Sequence, residues 1–183
     1  MTVITVELTK HGRQEGYAVT GDPRVEGELL PRVHSILGAL AKPALVPWAH
    51  KEGRRQMVEL LRPWVGQPLT AEMLDGAAES ARLYQNDTRS KAAEKGTALH
   101  LSVSELLKAG LNHGPDGTAT TDIVIWLQNN LGADLESEKA VYSPLHRYGG
   151  TLDVIAYTPR GPVIVDIKTG GVWPEHILQL GAY

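Results

Sequence analysis

Between Thr151 and Lys168 two stretches in which every second residue is apolar (Leu152, Val154, Ala156 and Val163, Val165, Ile167) flank Thr158-Pro159-Arg160-Gly161. Side chains of a strand point to its two faces by turns, so this pattern predicts a hairpin with one apolar face. Proline at the second and glycine at the fourth position suit a tight turn. With Pro159 and Arg160 as the loop, Ala156 faces Val163, Val154 faces Val165 and Leu152 faces Ile167. A slip of one residue would set Asp166 and Lys168 beside Leu152 and Val154, a poorer solution for a core-facing sheet. The favoured register puts Asp153 directly opposite Asp166 on the other face, with Lys168 two residues further along that face.

Two carboxylates held opposite each other repel and destabilise a sheet. Protonation of one, screening by water, or a cation between them would offset the repulsion. Carboxylates with open positions around them suit Mg²⁺ or Mn²⁺, which keep several waters and accept phosphate oxygens. A lysine beside them stabilises negative charge developing on a phosphate or holds the attacking water. Such a set has the parts for phosphodiester hydrolysis. The residue pattern equally admits a plain surface hairpin in which two solvated acids share Lys168 as their ion-pair partner.

The rest of the chain divides by pattern. Val3 to Leu8 reads as a short strand followed by turns rich in glycine and charge. A short helix is expected after Leu30-Pro31. Pro43, Pro47, Pro63 and Pro68 are expected to cut the next stretch into short helical pieces. Thr70 is a candidate N-cap for a helix through about Leu83. A second helix is expected from about Ser90 to Ala109, with Leu99, Val103, Leu106 and Leu107 as its apolar stripe and Gly110 at its end. Residues 111–120 read as a loop, and Thr121 or Asp122 as the cap of a helix through Gln128. Three strands are expected at about 138–142, 151–157 and 163–168. Pro174 suits the first turn of a last helix through Ile177, Leu178 and Leu180. The sequence stops at Tyr183 inside that helix, which leads to the expectation of a fragment.

Composition narrows the chemistry. The 183 residues contain no cysteine, which excludes disulfides, thiolate zinc sites and cysteine-held iron–sulfur clusters. No apolar run is long enough to cross a bilayer and no basic-then-apolar leader starts the chain, so a cytoplasmic protein is expected. The formal net charge of −3 argues against an overall basic nucleic-acid binder. Local clusters persist at Lys51, Arg54, Arg55 and Arg62 and at Arg89, Lys91 and Lys95, and such clusters are commonly solvated helix faces.

Four segments in order resemble the motifs of RecB-like nucleases of the PD-(D/E)xK superfamily. They are Gly96-Thr97-Ala98-Leu99-His100, Gly150-Thr151-Leu152-Asp153, Val165-Asp166-Ile167-Lys168-Thr169-Gly170 and Gln179-Leu180-Gly181-Ala182-Tyr183. The resemblance spans roughly residues 90–183, and the earlier part is only loosely similar to phage-type exonucleases. It implies an α/β fold: a restriction-endonuclease-like core with a mixed central sheet flanked by helices, over residues 86–183, preceded by a helical accessory segment over residues 1–85. It implies Asp153, Asp166 and Lys168 as catalytic residues, His100, Asp153 and Asp166 as metal ligands with the Ile167 carbonyl completing the shell, and Mg²⁺ or Mn²⁺ as cofactor. Gln179 and Tyr183 would contact DNA or position the lysine, and Glu138 would support the site. The expected partners are DNA and a recombination protein, and no membrane. Plain packing roles stand beside these: His100 at the edge of an apolar stripe, Gln179 and Tyr183 at a domain edge, Glu138 at a strand end, and Trp173 over the core rather than stacked on a base.

The function expected from these residues is a metal-dependent deoxyribonuclease, an exonuclease of recombination or repair. The competing expectations are a non-catalytic, truncated module that binds DNA or a partner protein, and a small domain whose hairpin acids do nothing.

Overall fold

In the computed structural model residues 3–40, 45–110 and 118–183 are described. Pro43 and most of the expected loop at 111–120 lie outside them. The chain forms two compact units, Met1–Leu40 with Ala98–Tyr183, and Ala41–Thr97. The expected boundary near residue 85 falls inside a helix.

In the first unit, strands β1 (Thr5–His11), β2 (Gln14–Thr20) and β3 (Leu29–Pro31) make an antiparallel sheet in that order. β1 and β2 join through Gly12-Arg13, since His11 pairs with Gln14. Gly12 has φ 61°, a conformation that glycine adopts without steric cost. The expected turns after Leu8 are therefore largely strand. The reason is the alternation in Tyr17-Ala18-Val19, which buries Tyr17 and Val19 with Val25 and Leu30. A short helix, α1 (Val33–Leu37), follows where it was expected.

The second unit contains helix α2 (Leu45–Leu61), a short 3₁₀ turn at Arg62–Trp64, and the first part of α3 (Ala71–Lys108). Pro47 does not divide the chain. It lies in the first turn of α2, where its missing N–H has no helical partner to lose. The two helices expected between Thr70 and Ala109 are one helix of 38 residues, α3. Residues 84–89 contain no proline or glycine, so nothing in the chain stops the helix there. Thr70 accepts from the Met73 amide at 3.3 Å, as its capping role requires. Gly110 ends the helix in a left-handed conformation, φ 65°.

Back in the first unit, α4 (Ala119–Leu131) is capped by Thr118, which accepts from the Thr121 amide, rather than by Thr121 or Asp122. Then β4 (Leu135–Ser143), β5 (Tyr148–Thr158) and β6 (Gly161–Val165) form a second antiparallel sheet, and α5 (Pro174–Ala182) closes the chain. The expected mixed sheet is not formed among the described residues. Among the described residues the parallel pairing is an isolated bridge between Arg32 and Gly149. Short turns join successive strands here, and they favour antiparallel neighbours.

The core beneath this sheet is built by Val103 of α3, Val124 and Leu127 of α4, Val154 of β5 and Ile167, with Leu99, Leu106 and Leu107 packed around it. The expected stripe of α3 is thus its buried face. Leu152, Val154 and Ala156 are buried on the expected side of the hairpin, whereas Val163 is 37% exposed near its tip. The first sheet meets the second through polar and aromatic contacts. The Tyr17 hydroxyl lies 2.6 Å from Thr151 Oγ1, and the Tyr142 hydroxyl donates to buried Asp22 at 2.7 Å. No helix of the described residues is long and apolar enough to cross a membrane.

Candidate metal and acid site

The β5–β6 ladder holds the expected pairs Ala156↔Val163 and Val154↔Val165 around the Pro159-Arg160 turn. It stops there. Asp166, Ile167 and Lys168 lie past the strand end, so Leu152↔Ile167 and Asp153↔Asp166 are not ladder pairs. Asp153 supplies the reason: its Oδ2 accepts the Ile167 amide proton at 2.7 Å. A charge-assisted bond of this kind is stronger than the neutral ladder bond that it displaces. It turns the chain while keeping the Ile167 side chain in the core.

The opposing acid on the site face comes from the other neighbour of β5. In the β4–β5 register Ser137 pairs with Val154 and Lys139 with Leu152, so Glu138 occupies the position facing Asp153. Glu138 itself drops out of the ladder because its backbone is left-handed, with φ 53°. That conformation costs an ordinary residue roughly 1–2 kcal/mol. Strain of this sort collects at sites where the surroundings demand a particular side-chain position.

His100, on the part of α3 within the first unit, completes the group. Its Nδ1 is 3.3 Å from Asp153 Oδ1. One ligand atom from each of His100, Glu138 and Asp153 lies within 4.8 Å of the others. The His100 pKa is raised, first by its hydrogen bond to Asp153 and further by that charge and by the Ile167 backbone, against partial desolvation and the Lys168 charge. The Glu138 pKa is raised by desolvation and then by the facing Asp153 charge. Glu138 therefore bears the repulsion expected of crowded carboxylates, and the imidazole relieves part of it.

Asp166 and Lys168 form a tight pair next to this group, with Lys168 Nζ 2.8 and 2.7 Å from the two Asp166 oxygens. The Asp166 side chain is 5% exposed and Asp153 12%. Of the expected ligands, His100 and Asp153 come together. Asp166 is engaged by Lys168, and Glu138, expected only in support, takes its place in the cluster. The Ile167 backbone lies against both His100 and Asp153. On α5, Gln179 donates to the Tyr183 hydroxyl at 3.2 Å. Burial raises the Tyr183 pKa against the Gln179 hydrogen bond, and the charges of Tyr17, Asp153 and Asp166 add to the rise. Gly150 makes room for it, since a Cβ there would lie 2.2 Å from Tyr183 Cε1. Trp173 is 47% exposed at the start of α5 and does not cap the core.

Tyr17 escaped the sequence, and Glu138 was expected only in support. Tyr17 packs its ring over Gly149 and bonds Thr151, the residue before Asp153 on the same face of β5. Its strand pattern was legible, but its partner lies 134 residues away. The central place of Glu138 had no signal, because a left-handed glutamate within a strand leaves no mark in the residue pattern.

The donor set is one imidazole nitrogen and two carboxylates, with a third carboxylate adjacent. Oxygen-rich sets with one histidine fit Mn²⁺ and Mg²⁺ and lack the sulfur that thiolate-bound metals use. His100, Glu138 and Asp153 are the residues that would hold such an ion. No family model, no curated protein and no solved structure matches this chain.

Proposed function

We propose that this protein hydrolyses phosphodiester bonds of DNA with the help of Mg²⁺ or Mn²⁺, as an exonuclease of recombination or repair. The observation that carries this reading is the convergence of His100, Glu138 and Asp153 within 4.8 Å beside the Asp166–Lys168 pair. A cation bound there supplies Lewis acidity and lowers the pKa of water. Asp153 does two jobs: one oxygen turns toward His100 and the other fixes the Ile167 amide, which keeps the site and the end of β6 in register. Glu138 adds negative charge that raises affinity for a cation. Asp166 holds the Lys168 ammonium at the edge of the group, where it meets charge developing on a phosphate oxygen. Gln179 and Tyr183 form the wall along which a strand end would lie.

A second reading has its own observation. Lys168 is tied to Asp166, the pairing that a plain surface hairpin also predicts, and a module that binds DNA or a partner protein without cutting needs nothing more.

Degradation of end-labelled linear DNA separates the two. Wild-type chain and Asp166→Ala are compared with Mg²⁺, with Mn²⁺ and with chelator. Cleavage that needs metal and disappears in the variant supports the hydrolase. Metal bound by His100, Glu138 and Asp153 in a chain that never cleaves supports the non-catalytic module, and a chain that binds no metal sinks the hydrolase.

A further inference from the structure

The unit Ala41–Thr97 carries a cleft that the acid site does not explain. It runs between α2 and α3 and is lined by His50, Gly53, Arg54, Met57, Ala78, Ala81 and Arg82, with a volume of about 370 Å³. The four α2 residues stand at i, i+3, i+4 and i+7, and the three α3 residues at i, i+3 and i+4, so each helix gives one face to it. The hollow exists because the floor is small: Gly53 is buried and Ala81 is 4% exposed. A second hollow of about 380 Å³ shares His50 and Arg54 with it and adds Pro47 and Lys51. Both volumes fall at the low end of ligand pockets, about 300–1,000 Å³.

The charge of this rim is one-sided. No carboxylate lines either hollow among the described residues. From Leu45 to Trp64 there are four cations and two carboxylates, and both carboxylates are already paired, Glu52 with Arg55 and Glu59 with Arg62. Arg82 is paired with Glu79. Lys51 and Arg54 have no ion-pair partner among the described residues, and they stand one helical turn apart on the rim. In a chain of net charge −3, two unpaired cations beside a hollow without acids mark an anion site.

We infer that this cleft binds a single strand of DNA, with phosphates on Lys51 and Arg54 and a sugar or base against Met57, Ala78 and Ala81. The polyanion's identity rests on the hydrolase reading above. The single strand follows from the lining: the apolar floor of Gly53, Met57, Ala78 and Ala81 offers a surface to an unstacked base, whereas a duplex keeps its bases inside and offers only phosphates to the rim.

Fluorescence anisotropy of the full chain in chelator tests this, with labelled oligothymidine and a duplex of equal length titrated across a salt series. The wild type is compared with Lys51→Gln/Arg54→Gln, whose exposed helical positions accept glutamine. The double variant is expected to bind the single strand about tenfold more weakly or worse, and its salt slope to fall by about 1.4, at ~0.7 per phosphate contact. Its melting temperature and its stabilisation by Mn²⁺ are expected to match wild type. Unchanged affinity and slope, no binding by the wild type, or tighter binding of the duplex overturns the inference. The two proposals fail separately. A chain that binds oligothymidine through these cations but never cleaves refutes only the hydrolase, and a cleaving chain whose double variant binds like wild type refutes only the cleft.

Discussion

Glu138→Asn reverses its effect on stability with metal, and the size of that reversal follows from the geometry. Glu138 has φ 53° and faces Asp153 across the β4–β5 register. The left-handed backbone costs roughly 1–2 kcal/mol for most residues, and asparagine relieves part of it through local hydrogen bonds. Like charges opposite each other in a sheet cost a further ~0.2–1 kcal/mol, which the neutral amide removes. In chelator the variant is therefore expected to gain about 1 kcal/mol, or ~2–4 °C in melting temperature for a chain of this length. In Mn²⁺ at ~1,000 times its dissociation constant, the wild type gains about 4.1 kcal/mol from binding. A hundredfold loss of affinity in the variant, which lacks one carboxylate, removes about 2.7 kcal/mol of that. The order then inverts, with the wild type more stable by about 1.7 kcal/mol, the difference between 2.7 and 1. Thermal melts in chelator and in Mn²⁺ read both numbers. A variant that melts lower than wild type in chelator would refute the strain argument. One that gains as much from Mn²⁺ as wild type would remove Glu138 from the metal group.

Two further perturbations probe the frame around the site. Gly150→Ala puts a methyl 2.2 Å from Tyr183 Cε1, so the Tyr183 ring or the end of α5 must shift; overpacking of this kind costs about 1–3 kcal/mol, and thermal melts followed by tryptophan fluorescence should show a lower midpoint, while an unaltered midpoint would mean that the ring is not held there. Asp22 has its pKa pushed well below the ordinary value near 3.8, first by Arg24 and then by the Tyr142 hydroxyl. A depressed acid stabilises the fold above its unfolded pKa, and that contribution is lost as pH falls below about 4 toward the folded value. Asp22→Asn should melt lower than wild type at pH ~6 and show a flatter fall between pH ~4 and ~2, whereas parallel curves would deny Asp22 a role in acid sensitivity.

Local patterns were sufficient for much of this protein. Alternation and the Pro159-Arg160 turn determined the β5–β6 register as far as Val154↔Val165, because a one-residue slip exposes every core side chain. The stripe Leu99, Val103, Leu106 and Leu107 determined which face of α3 is buried, and Pro174 the start of α5. The relation of β4 to β5 was decided by tertiary structure. Residue pattern offers Asp153 an acid on either neighbouring strand, Glu138 and Asp166, and cannot say which of them shares a cluster with it. The Ile167 amide drew one oxygen of Asp153, Lys168 drew Asp166 away, and the left-handed turn at Glu138 brought that carboxylate in. Likewise, two segments each suited to a helix became the single α3, since helix propagation is favourable wherever no residue breaks it. A sequence carries faces and turns in its short-range order. Which charged groups finally pair depends on distances set only when remote strands and helices have packed.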